Sequence, residues 1–210
     1  MGTREEMLRR VAAALESAER TPVPDHAYGV PRPLDDVAGL FVERVADYRA
    51  VVERVDEAGI PTAVAGALSH AARIVVPQGL PQEWLAALDG FEVVVDDGSL
   101  SADELDRLDG VVTAAAVGIA ETGTIVLDHG PDQGRRALSL VPDLHVCVVR
   151  ESQLVGDVPE STAHLRDAVL AGRPLTWISG PSATSDIELQ RVEGVHGPRT
   201  LHVLLVSATP

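Results

Sequence analysis

The first apolar positions of the chain recur at the spacing of an α-helix. Leu8, Val11 and Leu15 fall on one helical face. Thr3 and Glu6 have the Thr-x-x-Glu spacing of a capping box, in which the side chain of each residue accepts a hydrogen bond from the backbone N–H of the other. The pattern therefore predicts a helix that begins at about Thr3.

A proline-rich segment separates this helix from a second apolar stripe. Residues 21–33 contain four prolines, which favours an extended connector because proline fixes φ and lacks an N–H donor. Beyond it, apolar residues from Leu40 to Val55 return to helical spacing, and Gly59 provides a stop signal. We predict one long second helix that ends at Gly59.

The rest of the chain alternates between short β-branched runs and helical segments. We predict strands at residues 61–64, 74–77, 91–95, 111–115, 124–127, 144–149, 175–178 and 201–206, and helical segments at 82–88, 101–104, 133–140 and 159–170. Such alternation is typical of a mostly parallel sheet covered on both faces. We predict a helical N-terminal extension, residues 1–34, followed by one α/β domain, residues 35–210.

The net charge of the chain and its lack of lysine exclude several classes of function. The 210 residues include 32 acidic and 17 basic residues, a formal charge of −15, and every basic residue is arginine. The absence of lysine excludes a Schiff base and a P-loop lysine. The acidic balance argues against nucleic-acid binding, which needs a basic surface.

The number of cysteines and the length of the apolar runs limit the kinds of metal or disulfide site that the chain can form and its location in the cell. Cys147 is the single cysteine of the chain, so a disulfide framework and a self-contained iron–sulfur cluster are excluded. It is either a small core residue within the strand at 144–149 or a nucleophile. We find neither a signal peptide nor an apolar run long enough for a membrane span, and we expect a cytoplasmic protein.

The segment from Gly118 to Thr124 is the first of three glycine-rich corners. Glycines flank Glu121 and Thr122, so the turn would present a carboxylate and hydroxyls at a strand end, where α/β sheets bind ligands. The alternative is a plain β-hairpin turn, in which glycine supplies a positive φ. Glu121 is a candidate catalytic residue, and Thr122, Gly123 and Thr124 are candidate ligand-binding residues.

The second corner follows the predicted strand at 175–178. Its run of small polar residues and the Ser-x-x-Glu spacing at 185–188 predict a loop followed by a helix start. Backbone N–H groups and hydroxyls at a helix N-terminus favour an anion, whereas helix capping alone is the alternative. The candidate ligand-binding residues are Gly180, Ser182, Thr184 and Asp186.

The third corner, residues 194–199, precedes the last predicted strand. His196 is a candidate for proton exchange, and Arg199 is a candidate clamp for a carboxylate. The alternative is an exposed turn. Arg135 and Arg136 form a further pair, of which one is expected to reach a ligand; Arg135 is the candidate ligand-binding residue. The other histidines lack metal-ligand spacing, and we predict no metal site.

The combination of these segments resembles the lactate-utilization (LUD) domain family, and in particular its C-type members. The most specific parts are Gly-Pro-Ser-x-Thr-x-Asp-Ile-Glu at 180–188 and Gly-Val-His-Gly-Pro-Arg at 194–199. The resemblance implies a three-layer αβα fold like that of NagB, ribose-5-phosphate isomerase and family I CoA transferases. It also implies a role in oxidising L-lactate to pyruvate beside partner proteins that carry iron–sulfur clusters.

Three functions remain open at this point. The first is binding of a small carboxylate, with Arg199 as its clamp and Glu121 or His196 as the proton acceptor. The second is a non-catalytic assembly subunit of an iron–sulfur oxidoreductase complex. The third is a standalone transferase or isomerase, because Glu121 resembles the glutamate that attacks acyl-CoA in CoA transferases.

Overall fold

The computed structural model describes residues 2–16, 33–184, 192–193 and 197–207. In these ranges the α-helices are α1 (Thr3–Leu15), α2 (Val37–Asp47), α3 (Ile60–Ala67), α4 (Ala102–Leu105) and α5 (Val158–Leu170). The strands are β1 (Val51–Val55), β2 (Arg73–Pro77), β3 (Glu92–Asp96), β4 (Gly110–Ala114), β5 (Val117–Ile119), β6 (Thr124–Leu127), β7 (Leu144–Arg150), β8 (Leu154–Val155), β9 (Thr176–Ile178), β10 (Ala183–Thr184), β11 (Val192–Glu193) and β12 (Thr200–Val206).

A six-stranded parallel sheet forms the centre of the fold. Its order is β1-β12-β7-β4-β2-β3, and all neighbouring strands run in the same direction. Strands β4 and β7 are mostly apolar and almost fully buried, as expected for a parallel sheet that is covered on both faces. The predicted α/β class is confirmed.

Different elements cover the two faces of this sheet. On one face, Val64 of α3 and Leu68, which directly follows this helix, pack with Trp84 onto the strands. On the other, Phe41 of α2 packs with Ile125 of β6 against β7 and β12. Part of this second layer is therefore a sheet rather than a helix, which the sequence analysis did not predict.

That second sheet has four strands in the order β8-β5-β6-β9. Strands β5 and β6 form an antiparallel hairpin, and β9 adds antiparallel to β6. Helix α5 packs on it through Leu165, which belongs to the same buried cluster as Val117 and Ile119. The predicted strand at 124–127 coincides with β6, whereas β5 and β8 are too short to stand out as β-branched runs.

The prediction of one long second helix is wrong. Helix α2 ends at Asp47, Arg49 has a positive φ of 67°, and the segment Val51–Val55 is strand β1. The three valines of β1 also fit helical spacing, which misled the assignment. Their β-branched side chains favour a strand, and β1 pairs with β12 in the central sheet.

Three further assignments need correction. Residues 61–64, predicted as a strand, belong to helix α3, where Pro61 occupies the first turn and lacks the N–H that would stay unpaired there. The predicted helical segments at 82–88 and 133–140 are shorter 3-10 turns, Gln82–Leu85 and Arg136–Ser139. The predicted helix start at 185–188 and the connector up to residue 32 lie outside the described residues.

Helix α1 begins at Thr3, but the predicted capping box of Thr3 and Glu6 is wrong: the N-cap is Gly2, and its backbone N–H donates to Glu5 Oε2 at 3.0 Å. None of its residues is buried, and Leu8 and Leu15 are exposed. No helix in the described part of the chain has the length and apolar character that a membrane crossing requires.

Cys147 is a core residue. It is fully buried in β7, and its Sγ lies 3.7 Å from both Thr113 Oγ1 and the carbonyl oxygen of Ala114. Burial raises the pKa of this thiol to about 12. Since the thiolate is the reactive form, the core interpretation holds and the nucleophile interpretation does not.

We therefore expect Cys147 to resist thiol reagents in the folded protein. Ellman's reagent should leave the native chain unmodified over an hour at pH 8 and should titrate its one thiol at once in guanidinium chloride, because unfolding removes both the steric cover and the raised pKa. Rapid reaction of the native protein, at the rate seen in denaturant, would contradict this assignment.

Candidate functional site

A cleft lies at the carboxyl ends of the central strands. It is lined by residues 78–79 after β2, 96–98 at the end of β3, 129–131 after β6, and by 134–136 and 174. We call it the edge cleft; its volume is about 570 Å³. The carboxyl edge of a parallel sheet is the usual location of ligand sites in α/β proteins.

A second cleft runs along β9. It is lined by residues 136, 139–140, 175–180 and 197–198, and we call it the β9 cleft. Its volume is about 420 Å³. Because Arg136 lines both clefts, the two adjoin at this side chain.

Arg136 dominates the charge of the β9 cleft. It is the one charged residue among the described residues that line this cleft. The side chain is exposed, and its guanidinium forms no ion pair with another described residue. A planar guanidinium with free donors is suited to bind a carboxylate through two parallel hydrogen bonds.

Arg135, the neighbouring candidate, is already engaged. Its Nε and Nη2 donate to the two carboxylate oxygens of Asp96, each at 2.9 Å, and Nη2 also donates to the carbonyl oxygen of Leu100 at 2.6 Å. The hydrogen bonds with Asp96 raise the pKa of this guanidinium further above its usual value. Arg135 thus links the end of β3 and the segment up to Leu100 to the lining of the edge cleft.

His129 is within hydrogen-bonding distance of a residue from each of the two clefts. It follows β6, has a positive φ of 56° and lines the edge cleft. Its Nδ1 lies 2.7 Å from the carbonyl oxygen of Gly134, and its Nε2 lies 2.8 Å from Oγ1 of Thr176, which lines the β9 cleft. The imidazole is therefore held from both sides.

Gly134 is required for this arrangement. Its φ is 67°, and a Cβ at this position would lie 2.6 Å from Leu138 Cδ1. Glycine alone adopts the left-handed conformation without cost, and it lets the carbonyl oxygen of this residue reach His129.

The first predicted corner is the turn of the β5–β6 hairpin. Gly123 has a φ of 58°, and a Cβ there would lie 2.6 Å from the backbone carbonyl carbon of Arg44, so the turn lies directly against α2. The Oγ1 atoms of Thr122 and Thr124 are 2.7 Å apart, and Thr124 Oγ1 is 2.8 Å from Ser179 Oγ. This chain of hydroxyls reaches the β9 cleft, whereas Glu121 is exposed and lines neither cleft.

The structure brings the second and third corners together. Gly180 and Gly197 both line the β9 cleft, and the backbone N–H of Ser182 donates to the carbonyl oxygen of Pro198 at 2.8 Å. Thr184 lies in β10, which pairs with β11. Asp186 and His196 lie outside the described residues.

Arg199 lines neither cleft. Its side chain is 64% exposed, and its Nε is 3.5 Å from Asp143 Oδ1, an ion pair at the surface. The cation that lines the β9 cleft is Arg136 instead.

Sequence reasoning missed the pairing of His129 with Thr176. Asp-His-Gly-Pro directly after a buried strand was an available signal, since a histidine at the end of a strand lies where ligands bind. Its partner lies 47 positions further along the chain, and no local pattern indicates that contact. Within the described ranges, no three His, Cys, Asp or Glu residues are grouped as metal ligands would be.

Comparison with known proteins identifies the family. The sequence model of the LUD domain matches residues 67–206. Lactate utilization protein C of Deinococcus radiodurans is 51% identical over 96% of this chain and 94% of its own length. The protein of the same name from Bacillus subtilis is 31% identical over 56% of this chain and 50% of its own length.

A solved structure agrees with this result. The crystal structure of a DUF162 family protein from Deinococcus radiodurans has a TM-score of 0.73 and 46% sequence identity, and the match covers 83% of this chain and 99% of that chain. Since both the family model and a relative at 51% identity match most of the chain, the chain belongs to the LUD domain family, as its three corners predicted.

Proposed function

We propose that this chain binds a small carboxylate, lactate or its oxidation product pyruvate, in the β9 cleft and takes part in lactate utilization. The observation that carries the proposal is the unpaired guanidinium of Arg136 in a cleft whose described lining holds no other charge. The relatives at 51% and 31% identity bear the name lactate utilization protein C, which supports lactate as the ligand to test first.

The cleft supplies the groups that such a ligand needs. The guanidinium of Arg136 would bind the carboxylate, and the side chains of Thr176 and Ser179 add hydroxyls to the same lining. A charge-assisted bidentate contact fixes the orientation of the ligand as well as its affinity. His196 stays a proposed proton acceptor, and so does Glu121, although it lines neither cleft. Gly180, Ser182, Thr184 and Asp186 stay proposed ligand-binding residues.

Oxidation of lactate to pyruvate also requires an electron acceptor. The chain has a single cysteine, which is buried in β7, whereas iron–sulfur clusters are held by several cysteine thiolates. We therefore place the clusters on partner proteins in the cytoplasm, and this chain would be the cluster-free component that binds the carboxylate.

The proposal predicts that Arg136→Gln weakens lactate binding by about 10-fold or more, because a charge-assisted contact to a carboxylate is lost. Affinity is measured by ligand-observed NMR titration of the purified full chain with L-lactate. Arg166→Gln on the exposed face of α5 removes the same charge away from the clefts and should bind like the wild type.

The variant Arg199→Gln tests whether Arg136 or Arg199 binds the carboxylate. If Arg136 binds the carboxylate, Arg199→Gln retains most of the affinity. Loss of binding in Arg199→Gln together with normal binding in Arg136→Gln would move the carboxylate to the third corner. Absence of lactate and pyruvate binding to the wild-type chain would overturn the proposed function.

A further inference from the structure

The hydrogen bonds of His129 fix the hydrogen-bonding character of the β9 cleft. The carbonyl oxygen of Gly134 can only accept, so Nδ1 of His129, at 2.7 Å, must carry a hydrogen. In the neutral imidazole the other nitrogen, Nε2, is then an acceptor. The tautomer is thus set by the backbone of the edge cleft.

This tautomer decides what Thr176 offers to a ligand. Thr176 Oγ1 lies 2.8 Å from Nε2 and must donate its single hydrogen to it. The hydroxyl has no other hydrogen-bond partner among the described residues. Although Thr176 is only 6% exposed, it lines the β9 cleft. What remains available on Oγ1 is its capacity to accept a hydrogen bond.

We infer that the His129–Thr176 pair makes the β9 cleft selective for a 2-hydroxy acid over the corresponding 2-oxo acid. The inference rests on the proposed binding of a carboxylate at Arg136, which lines the same cleft as Thr176. The hydroxyl of a 2-hydroxy acid donates its hydrogen to Thr176 Oγ1. A 2-oxo group has no hydrogen and places an acceptor against an acceptor, which costs affinity. The site therefore retains lactate and releases pyruvate.

The selectivity is tested by titrating the full chain at pH 8 with L-lactate, pyruvate and propionate, which has no oxygen at C2. We expect the wild type to bind lactate about fivefold more tightly than pyruvate, as one neutral hydrogen bond contributes. Thr176→Val should lower the affinity for lactate to that for propionate. Thr176→Ser keeps a hydroxyl and should keep the preference.

His129→Asn gives the sharper result. Asparagine tolerates the positive φ at this position, but its side chain is too short to reach Thr176. The hydroxyl hydrogen of Thr176 is then free to donate to a 2-oxo group, so pyruvate should bind about fivefold more tightly than to the wild type. Lactate can still donate to Thr176 Oγ1, so its affinity should change less than that of pyruvate, and the ratio of the two affinities is the readout. A merely structural role for His129 would weaken both acids.

The outcomes separate this inference from the proposed function. If no acid binds the wild-type chain, both are overturned. If lactate and pyruvate bind equally, with an affinity that depends on Arg136, the proposed function stands and the selectivity is overturned. The selectivity is also overturned if His129→Asn weakens the binding of lactate and of pyruvate to the same degree.

Discussion

Replacing Arg135 with methionine is expected to lower the free energy of unfolding by about 3 kcal/mol, because it leaves a buried carboxylate without its counter-charge. The side chain of Asp96 is only 4% exposed, and each of its two carboxylate oxygens accepts a hydrogen bond from the guanidinium of Arg135. Methionine keeps the length and apolar stem of the side chain and removes its charge and donors. The measurement is urea denaturation at pH 7.

Arg136→Met provides the matched control. The two arginines are adjacent, but Arg136 is exposed and forms no ion pair with a described residue, so its replacement should change stability by less than about 0.5 kcal/mol. Adding Asp96→Asn to Arg135→Met removes the orphaned charge and should restore part of the loss. Equal stability of Arg135→Met and the wild type would show that Asp96 is solvated well enough to stand alone.

Arg135 and Arg136 show what the sequence could establish about the site and what it could not. It predicted that one of Arg135 and Arg136 reaches a ligand, with Arg135 as the candidate. Which one is free depends on Asp96, which lies 39 positions from Arg135 in the chain and is brought to it by the pairing of β3 with β2. A residue's type indicates the chemistry it can perform, but its partners decide whether that chemistry is available.

The same distinction holds for the fold. Strand β6 was predicted to the residue because its apolar run is bounded by the glycine turn and by Asp128. Strand β1 was assigned to a helix because Val51 and Val55 fit both periods, and pairing with β12 decided between them. The relation to NagB-like folds, which the family resemblance implies, stays a prediction.

His145 is a polar residue in the core whose burial has a measurable consequence. It lies in β7, is 1% exposed, and its Nε2 is 2.8 Å from Thr113 Oγ1. Nδ1 has no hydrogen-bond partner among the described residues. Burial lowers the pKa of this histidine to about 4, well below the value of about 6.5 for a histidine in an unfolded chain.

Stability should therefore fall as the pH is lowered from about 6.5 to about 4. In this window the unfolded chain binds a proton at residue 145 and the folded chain does not, so the free energy of unfolding decreases, by about 3 kcal/mol at pH 4. Below pH 4 both states are protonated and this contribution stops changing. Above pH 6.5 neither is, and the full stability is present.

His145→Gln isolates the contribution of this one group. Glutamine can still reach Thr113 but does not titrate, so the variant is expected to be less stable at pH 7.5 and to lose about 3 kcal/mol less than the wild type between pH 7.5 and pH 4. His202→Gln is the matched control: burial also lowers the pKa of His202, but Glu53 opposes the shift, so its replacement should reduce the slope less. Urea denaturation at several pH values measures all three chains, and contributions from the carboxylates cancel in the differences. A wild type and a His145→Gln variant with parallel pH profiles would mean that His145 takes up its proton in the folded core.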